Sequence, residues 1–218
     1  FALPQNLAQK AAGAKLMLIP RPNAPTGNIF PMAEMRQLCE DFDGIVLIDE
    51  AYADFADDNC VELAKEYSNV VVSRTLSKSY ALAGVRFGFA MAHKEIIAGM
   101  LKVKDSYNVN FLTQKLADAA LKDQDYLRNI TAKVCESRST LSDALVELGF
   151  EVLDSQTNFL FVAPPDNDGE AYFNYLYDND FLTRYFPGGA TGRFVRISIG
   201  TPEEMKNLLK ITREKYTS

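Results

Sequence analysis

Polar residues with complementary chemistry stand at the ends of three successive apolar runs. Asn23 follows KLMLIP (residues 15–20), Asp49 closes GIVLID (44–49), and Ser73 closes NVVVS (69–73), with Thr75, Ser77 and Lys78 just beyond. A carboxylate, an amine and hydroxyls brought within reach of one another are the components of proton transfer and covalent chemistry. Taken singly, each residue has an ordinary explanation. Asn23 shapes a proline-rich turn, Asp49 caps the residues after it, and Lys78 is a solvated loop lysine. Their recurrence at three strand ends favours a shared site, because ligands of open α/β sheets sit beyond the carboxyl ends of the strands.

The elements that must position these residues alternate. Residues 15–20, 44–49, 69–73 and 85–92 read as strands, the middle two as continuous apolar runs of the kind buried on both faces in parallel sheets. A helix follows Pro31, with Met32, Met35, Leu38 and Cys39 at helical spacing, and residues 61–67 form a short one. Residues 74–84 read as a loop. This β–α order means a sheet covered by helices. Beyond Lys94 the pattern changes. Helices are expected at 95–102, 112–122 and 125–148, the last ended by Gly149. Short strands at 151–153, 158–162, 181–186 and 194–199 then alternate with helices at 170–177 and 203–216. The division is placed near Lys122, giving residues 1–122 and 123–218.

The composition sets bounds on function. The chain has 218 residues, 47% of them hydrophobic and 24% charged, enough to build a core without disulfides or metals. No apolar run reaches the ~18 residues of a membrane span, and FALPQNLAQK lacks the basic start of a signal peptide. A net charge of −6 disfavours nucleic acid and anionic membranes as partners, so an anionic small molecule needs a local arginine cluster. One histidine, His93, cannot build a multi-histidine metal site. Cys39, Cys60 and Cys135 have no CxxC spacing and read as buried thiols of a reducing compartment, hence a cytoplasmic protein.

Four strings occur in order: NAPTG (23–27), DEAY (49–52), SRTLSK (73–78) and AGVRFG (83–88), with a late RISIG (196–200). Together they resemble the fold-type-I pyridoxal-phosphate aminotransferases, and most of all the histidinol-phosphate aminotransferases among them. The resemblance implies an α/β large domain, partial here and mainly parallel, followed by a smaller α+β domain. It covers nearly all of the chain, which looks like the C-terminal two-thirds of such an enzyme. The part before Phe1 is where a ring-stacking aromatic, glycine-rich phosphate donors and a tyrosine from the partner subunit are expected.

The resemblance also implies roles. Lys78 attaches the aldehyde of pyridoxal 5'-phosphate covalently and later moves a proton. A buried Asp49 faces the pyridine nitrogen, while Asn23 and Tyr52 bond the ring hydroxyl. Thr75, Ser77 and Arg86 hold the phosphate, since a guanidinium fork donates twice. Arg86 is expected inward, because strand alternation in VRFGF sets it opposite Val85 and Phe87. Arg196 grips the substrate carboxylate, and Arg184 helps to hold a substrate phosphate. Arg193 stands open between a contact and a solvated residue. His93 is a turn residue rather than a catalyst. Transamination of histidinol phosphate with 2-oxoglutarate, by a homodimer, is the implied activity. A phosphorylated-amino-acid decarboxylase, an aromatic aminotransferase and a non-catalytic scaffold stay open, because the motifs are nearly blind to what happens at Cα.

Overall fold

The computed structural model describes residues 1–217. The chain forms two compact units, one of Phe1–Asn23 and Ile29–Asn129, the other of Ala24–Asn28 with the rest of the chain from Ile130. The first unit begins with a one-turn helix α1 (Leu7–Lys10), which sequence patterning does not reveal, and continues with β1 (Leu16–Pro20), α2 (Met32–Asp41), β2 (Ile45–Asp49), α3 (Leu63–Glu66) and β3 (Val70–Thr75). Then come β4 (Gly88–Ala92), α4 (Lys94–Val103), α5 (Phe111–Lys122) and α6 (Gln124–Glu147), which runs into the second unit. The sheet order is β1-β2-β3-β4, the first two pairings parallel and the last antiparallel. The two continuous apolar runs therefore lie at the centre. Val46, Ile48, Val70 and Val72 have no exposed surface and pack with Met35, Leu38 and Cys39, one stripe of α2. Removing each such side chain from water is worth about 1.5–3 kcal/mol.

The second unit carries β5 (Glu151–Val152), β6 (Phe159–Ala163), α7 (Gly169–Asp178), β7 (Arg184–Tyr185), β8 (Val195–Ser198) and α8 (Pro202–Tyr216). Its strands pair antiparallel in the order β5-β6-β8-β7. Leu141 and Leu145 of α6 pack with Leu160, Val162, Val195 and Ile197 of the sheet. As expected, Gly149 ends α6. At φ +83° it lets its N–H reach Val146 O at 2.9 Å and the Phe150 N–H reach Leu145 O at 3.1 Å, satisfying carbonyls that the helix end would orphan. The Asp168 carboxylate, in the loop PPDNDG (residues 164–169), caps α7 by accepting from the Ala171 N–H at 2.9 Å.

Two expected strands come out shorter. Residues 181–186 yield only the two-residue β7. Asp180 takes a left-handed conformation (φ +65°), and the Phe181 N–H turns back to Leu176 O at 2.9 Å as part of the α7 terminus. The strand expected from residue 85 begins at Gly88. Residues 83–85 instead wind into a 3-10 turn, and Arg86 follows it at φ +58°.

Candidate active site

Parallel register brings the polar strand ends abreast. Asp49 pairs across β1–β2 with Pro20 and across β2–β3 with Ser73. The Ser73 Oγ lies 3.5 Å from Asp49 Oδ1, which also accepts from the Ala51 N–H at 3.1 Å. That second bond turns the chain out of the strand, so Tyr52 leads into the 3-10 turn Ala53–Phe55. The Lys78 Nζ sits 5.3 Å from the centroid of the Tyr52 ring, within cation–π range. Asp49, Tyr52, Ser73 and Lys78 thus meet at the carboxyl edge of the parallel strands. Asn23 lies half-buried in the turn that leaves β1, between Pro22 and Pro25, each preceded by a cis peptide bond.

The Lys78 loop is tightly held. Thr75 ends β3. Its Oγ1 accepts from the Ser77 N–H at 3.1 Å and lies 2.9 Å from Ser77 Oγ and 3.2 Å from Phe87 O. Leu76 and Tyr80, on either side of the lysine, are buried with Ala117 of α5. The Ala81 N–H closes a turn onto Lys78 O at 3.1 Å, with Ala81 at φ +54°, a conformation costing roughly 1–2 kcal/mol for a residue with a Cβ.

Two expectations need correction. The Asp49 side chain is exposed rather than buried, since it leaves the strand on the face opposite its buried neighbours Ile48 and Glu50. Arg86 is also exposed. Lying outside β4, it obeys no strand alternation, and its Nη1 donates to Ala83 O at 2.9 Å on its own turn.

Sequence reasoning missed a charged network behind these residues. Arg74 donates to Glu50 Oε2 from Nε at 2.9 Å and from Nη2 at 2.7 Å, and to Asp54 Oδ1 from Nη1 at 3.3 Å. The Cys60 N–H donates to Glu50 Oε1, and the Ser79 hydroxyl to Asp54 Oδ2. The available signal was adjacency: Glu50, Arg74 and Ser79 each follow a residue already singled out. Burial holds the Cys39 and Cys60 thiols protonated, pushing them up to about 11 and about 12. That suits core residues rather than nucleophiles.

In the second unit, β7–β8 register sets Arg184 directly opposite Arg196. Val195 and Ile197 are buried on one face of β8, so Arg196 projects from the other, as strand alternation requires. Its guanidinium carbon lies 5.0 Å from the Phe159 ring centroid and 5.6 Å from that of Phe186, which Arg184 also approaches at 5.7 Å. The Arg196 Nε is buried with no hydrogen-bond partner among the described residues. Arg193 differs. It grips Glu151 with both terminal nitrogens, at 2.5 and 2.8 Å, and this hydrogen bonding, helped by the Arg193 charge, holds the Glu151 carboxyl below its usual range. Arg193 is thus paired, whereas no ion pair engages Arg184 or Arg196 among the described residues. His93 precedes α4, as expected of a turn residue.

Comparison with known proteins identifies the family. The family model for aminotransferase class I and II matches residues 2–211. The histidinol-phosphate aminotransferase of Geobacter sulfurreducens is 44% identical over 200 residues, covering 92% of this chain and 57% of that protein. That of Microcystis aeruginosa is 44% identical over 201 residues, covering 92% and 58%. The chain therefore spans little more than half the length of these relatives. The crystal structure of histidinol-phosphate aminotransferase from Sinorhizobium meliloti in complex with pyridoxal-5'-phosphate superposes with a TM-score of 0.87 at 26% identity, over 95% of this chain and 60% of that one. With its α/β sheet of mostly parallel strands, its helical cover and a family match over almost its whole length, the chain belongs to the class I and II aminotransferases.

Proposed function

We propose that this chain carries the cofactor lysine and the substrate arginines of a pyridoxal-phosphate-dependent transaminase. The reaction is histidinol phosphate plus 2-oxoglutarate to imidazole acetol phosphate plus glutamate. The observation that carries this reading is the Lys78 amine over the ring of Tyr52, which follows Asp49 by three residues at the carboxyl end of β2. The donor set fits the group. An amine suits an aldehyde, a carboxylate a pyridine nitrogen, a phenol and an amide a ring hydroxyl, and paired hydroxyls a phosphate. When bound, pyridoxal phosphate supplies an electron sink for the charge left when a Cα proton departs. The protein's part is positional. Lys78 would carry the proton at its Nζ, Asp49 would pair with the ring nitrogen, and Tyr52 and Asn23 would orient the ring; Thr75 and Ser77 would donate to the phosphate, joined by Arg86 once its guanidinium leaves Ala83 O.

Histidinol phosphate is a phosphate ester of an amino alcohol and has no carboxylate, whereas glutamate and 2-oxoglutarate do. Arg196 therefore serves a phosphate in one half-reaction and a carboxylate in the other, and Arg184 adds the second donor that a phosphate needs. We further propose that residues 1–122 belong to the large cofactor-binding domain and 123–218 to the small domain. The protein works in the cytoplasm as a homodimer, a reading supported by its family and by cysteines that form no disulfide among the described residues.

Borohydride reduction of the full-length protein loaded with pyridoxal phosphate tests the assignment. The label is expected on the peptide spanning residues 75–84 and is lost in Lys78→Ala. Label on a different lysine overturns it.

A further inference from the structure

We propose that Asp54 is a positioning residue for Lys78, acting through the Ser79 hydroxyl. The inference rests on Lys78 being the cofactor lysine. A lysine amine rides on a flexible four-carbon stem, so its placement is no better than that of the backbone beneath it. The apolar anchors Leu76 and Tyr80 hold the two sides of the loop, but the residue adjacent to the lysine is Ser79, 2% exposed, and its hydroxyl is bound by Asp54.

Asp54 is itself fixed. Its other oxygen accepts from Arg74, whose remaining donors go to Glu50, and Glu50 Oε1 accepts from the Cys60 N–H. Both carboxylates thus use both oxygens. The Glu50 side chain has no exposed surface, and those of Arg74 and Asp54 are each 22% exposed. A buried ion pair is seldom the cheapest route to stability, since apolar residues of similar volume often serve as well or better. What a fully bonded network does provide is one fixed geometry.

The placement identifies what is fixed. Glu50 follows Asp49, Arg74 follows Ser73, and Ser79 follows Lys78, while Asp54 lies two residues beyond Tyr52. Successive side chains of a strand point to opposite faces. Asp49 and Ser73 face the site edge together, and Glu50 and Arg74 meet on the reverse side. The network thus joins the two strand ends, the Tyr52 turn and the lysine loop from behind, without entering the site.

The test compares Asp54→Ala, Ser79→Ala and the double variant in the full-length protein. Two readouts are used: amide hydrogen exchange of the cofactor-free protein, and the rate of covalent attachment of added pyridoxal phosphate, followed by absorbance. Losing a hydrogen bond to a charged group should speed exchange in peptide 75–84 at least about tenfold. Exchange in 45–49 and 70–73 should stay as in the wild type. Attachment should slow in both single variants, and the double variant should be no worse than either, since the two residues act as one link. Asp54→Asn keeps an oxygen for the Ser79 hydroxyl and should recover most of the loop protection. Unchanged exchange at 75–84 in Ser79→Ala, or acceleration spread equally over 45–49, overturns the proposal. Borohydride mapping in the same samples separates the two questions. Label away from Lys78 defeats the lysine assignment, whereas label on Lys78 with an unaltered loop defeats only the role of Asp54.

Discussion

Replacing Arg184 with alanine should move stability in opposite directions depending on whether an anion is present. Arg184 and Arg196 are register partners, and both guanidinium groups approach the Phe186 ring. Facing residues of an antiparallel pair have Cβ atoms about 4.5–5.5 Å apart. With charges roughly 7 Å apart and water between them, because Arg184 is exposed, the repulsion is about 0.6 kcal/mol. Without an anion, Arg184→Ala should therefore unfold at the wild-type temperature or slightly above it. Binding of phosphate should suffer. Losing one charge-assisted hydrogen bond is worth about 1.5–3 kcal/mol, a weakening of roughly 10- to 150-fold. At a phosphate concentration 100 times the wild-type Kd, stabilisation is about 2.7 kcal/mol, and a 30-fold weaker site keeps less than about 1 kcal/mol. Thermal unfolding with and without phosphate measures both signs. Values of kcat/KM for histidinol phosphate and for glutamate then test the division of labour, since Arg184→Ala should spare glutamate. Unchanged phosphate stabilisation, or equal losses for the two substrates, would refute the reasoning.

Asp49→Asn should leave most of the cofactor bound through its phosphate contacts yet slow turnover about 10³-fold, the equivalent of about 4 kcal/mol. A kcat within a few-fold of wild type, measured beside cofactor content, would rule out a ring-nitrogen role. The start of α8 offers a test by pH. There Thr201 and Glu204 cap one another, and the Thr201 N–H followed by its hydroxyl holds the Glu204 carboxyl below its usual range. A depressed carboxylate adds stability above its unfolded pKa and loses it as pH falls through the folded value, so this contribution is present at neutral pH and fades below about pH 4.5. Thr201→Ala should cost about 1 kcal/mol at pH 7. It should also flatten the acid limb of the stability curve, as read from urea midpoints at pH 7 and pH 3.

The pattern of residues was most informative where burial was complete. GIVLID and NVVVS have apolar side chains on both faces, and they became the parallel centre of the first sheet. Gly149 was equally legible, because only a left-handed residue could close that helix end. Arg86 was misread because alternation presupposes a strand, and a single 3-10 turn at residues 83–85 moved it out of one. Residues 181–186 look like strand by composition, yet the backbone of Phe181 is committed to the α7 terminus. The Glu50–Arg74–Asp54–Ser79 network, hinted at only by adjacency, was hard to read for a different reason. Charged residues carry no periodic signal, and their partners are set by register and by the turn after β2, which appear only with the fold.

One segment bears on the order in which the molecule assembles. Residues Ala24–Asn28, near the start of the chain, group with the second unit, where the Gly27 carbonyl accepts from the Gln156 N–H at 2.8 Å. A Cβ on Gly27 would come within 2.7 Å of the Ser155 hydroxyl, so the two backbones pack as closely as a glycine allows. Contacts between such distant parts of a sequence are closed late, because their loop entropy must be met before they stabilise anything. On the ribosome, this strap emerges long before its partner around Gln156. A fragment starting at Ile130 would lack it, leaving the Gln156 N–H and the Ser155 surface uncovered, so the second unit is not a module that can be cut from the chain at a single point.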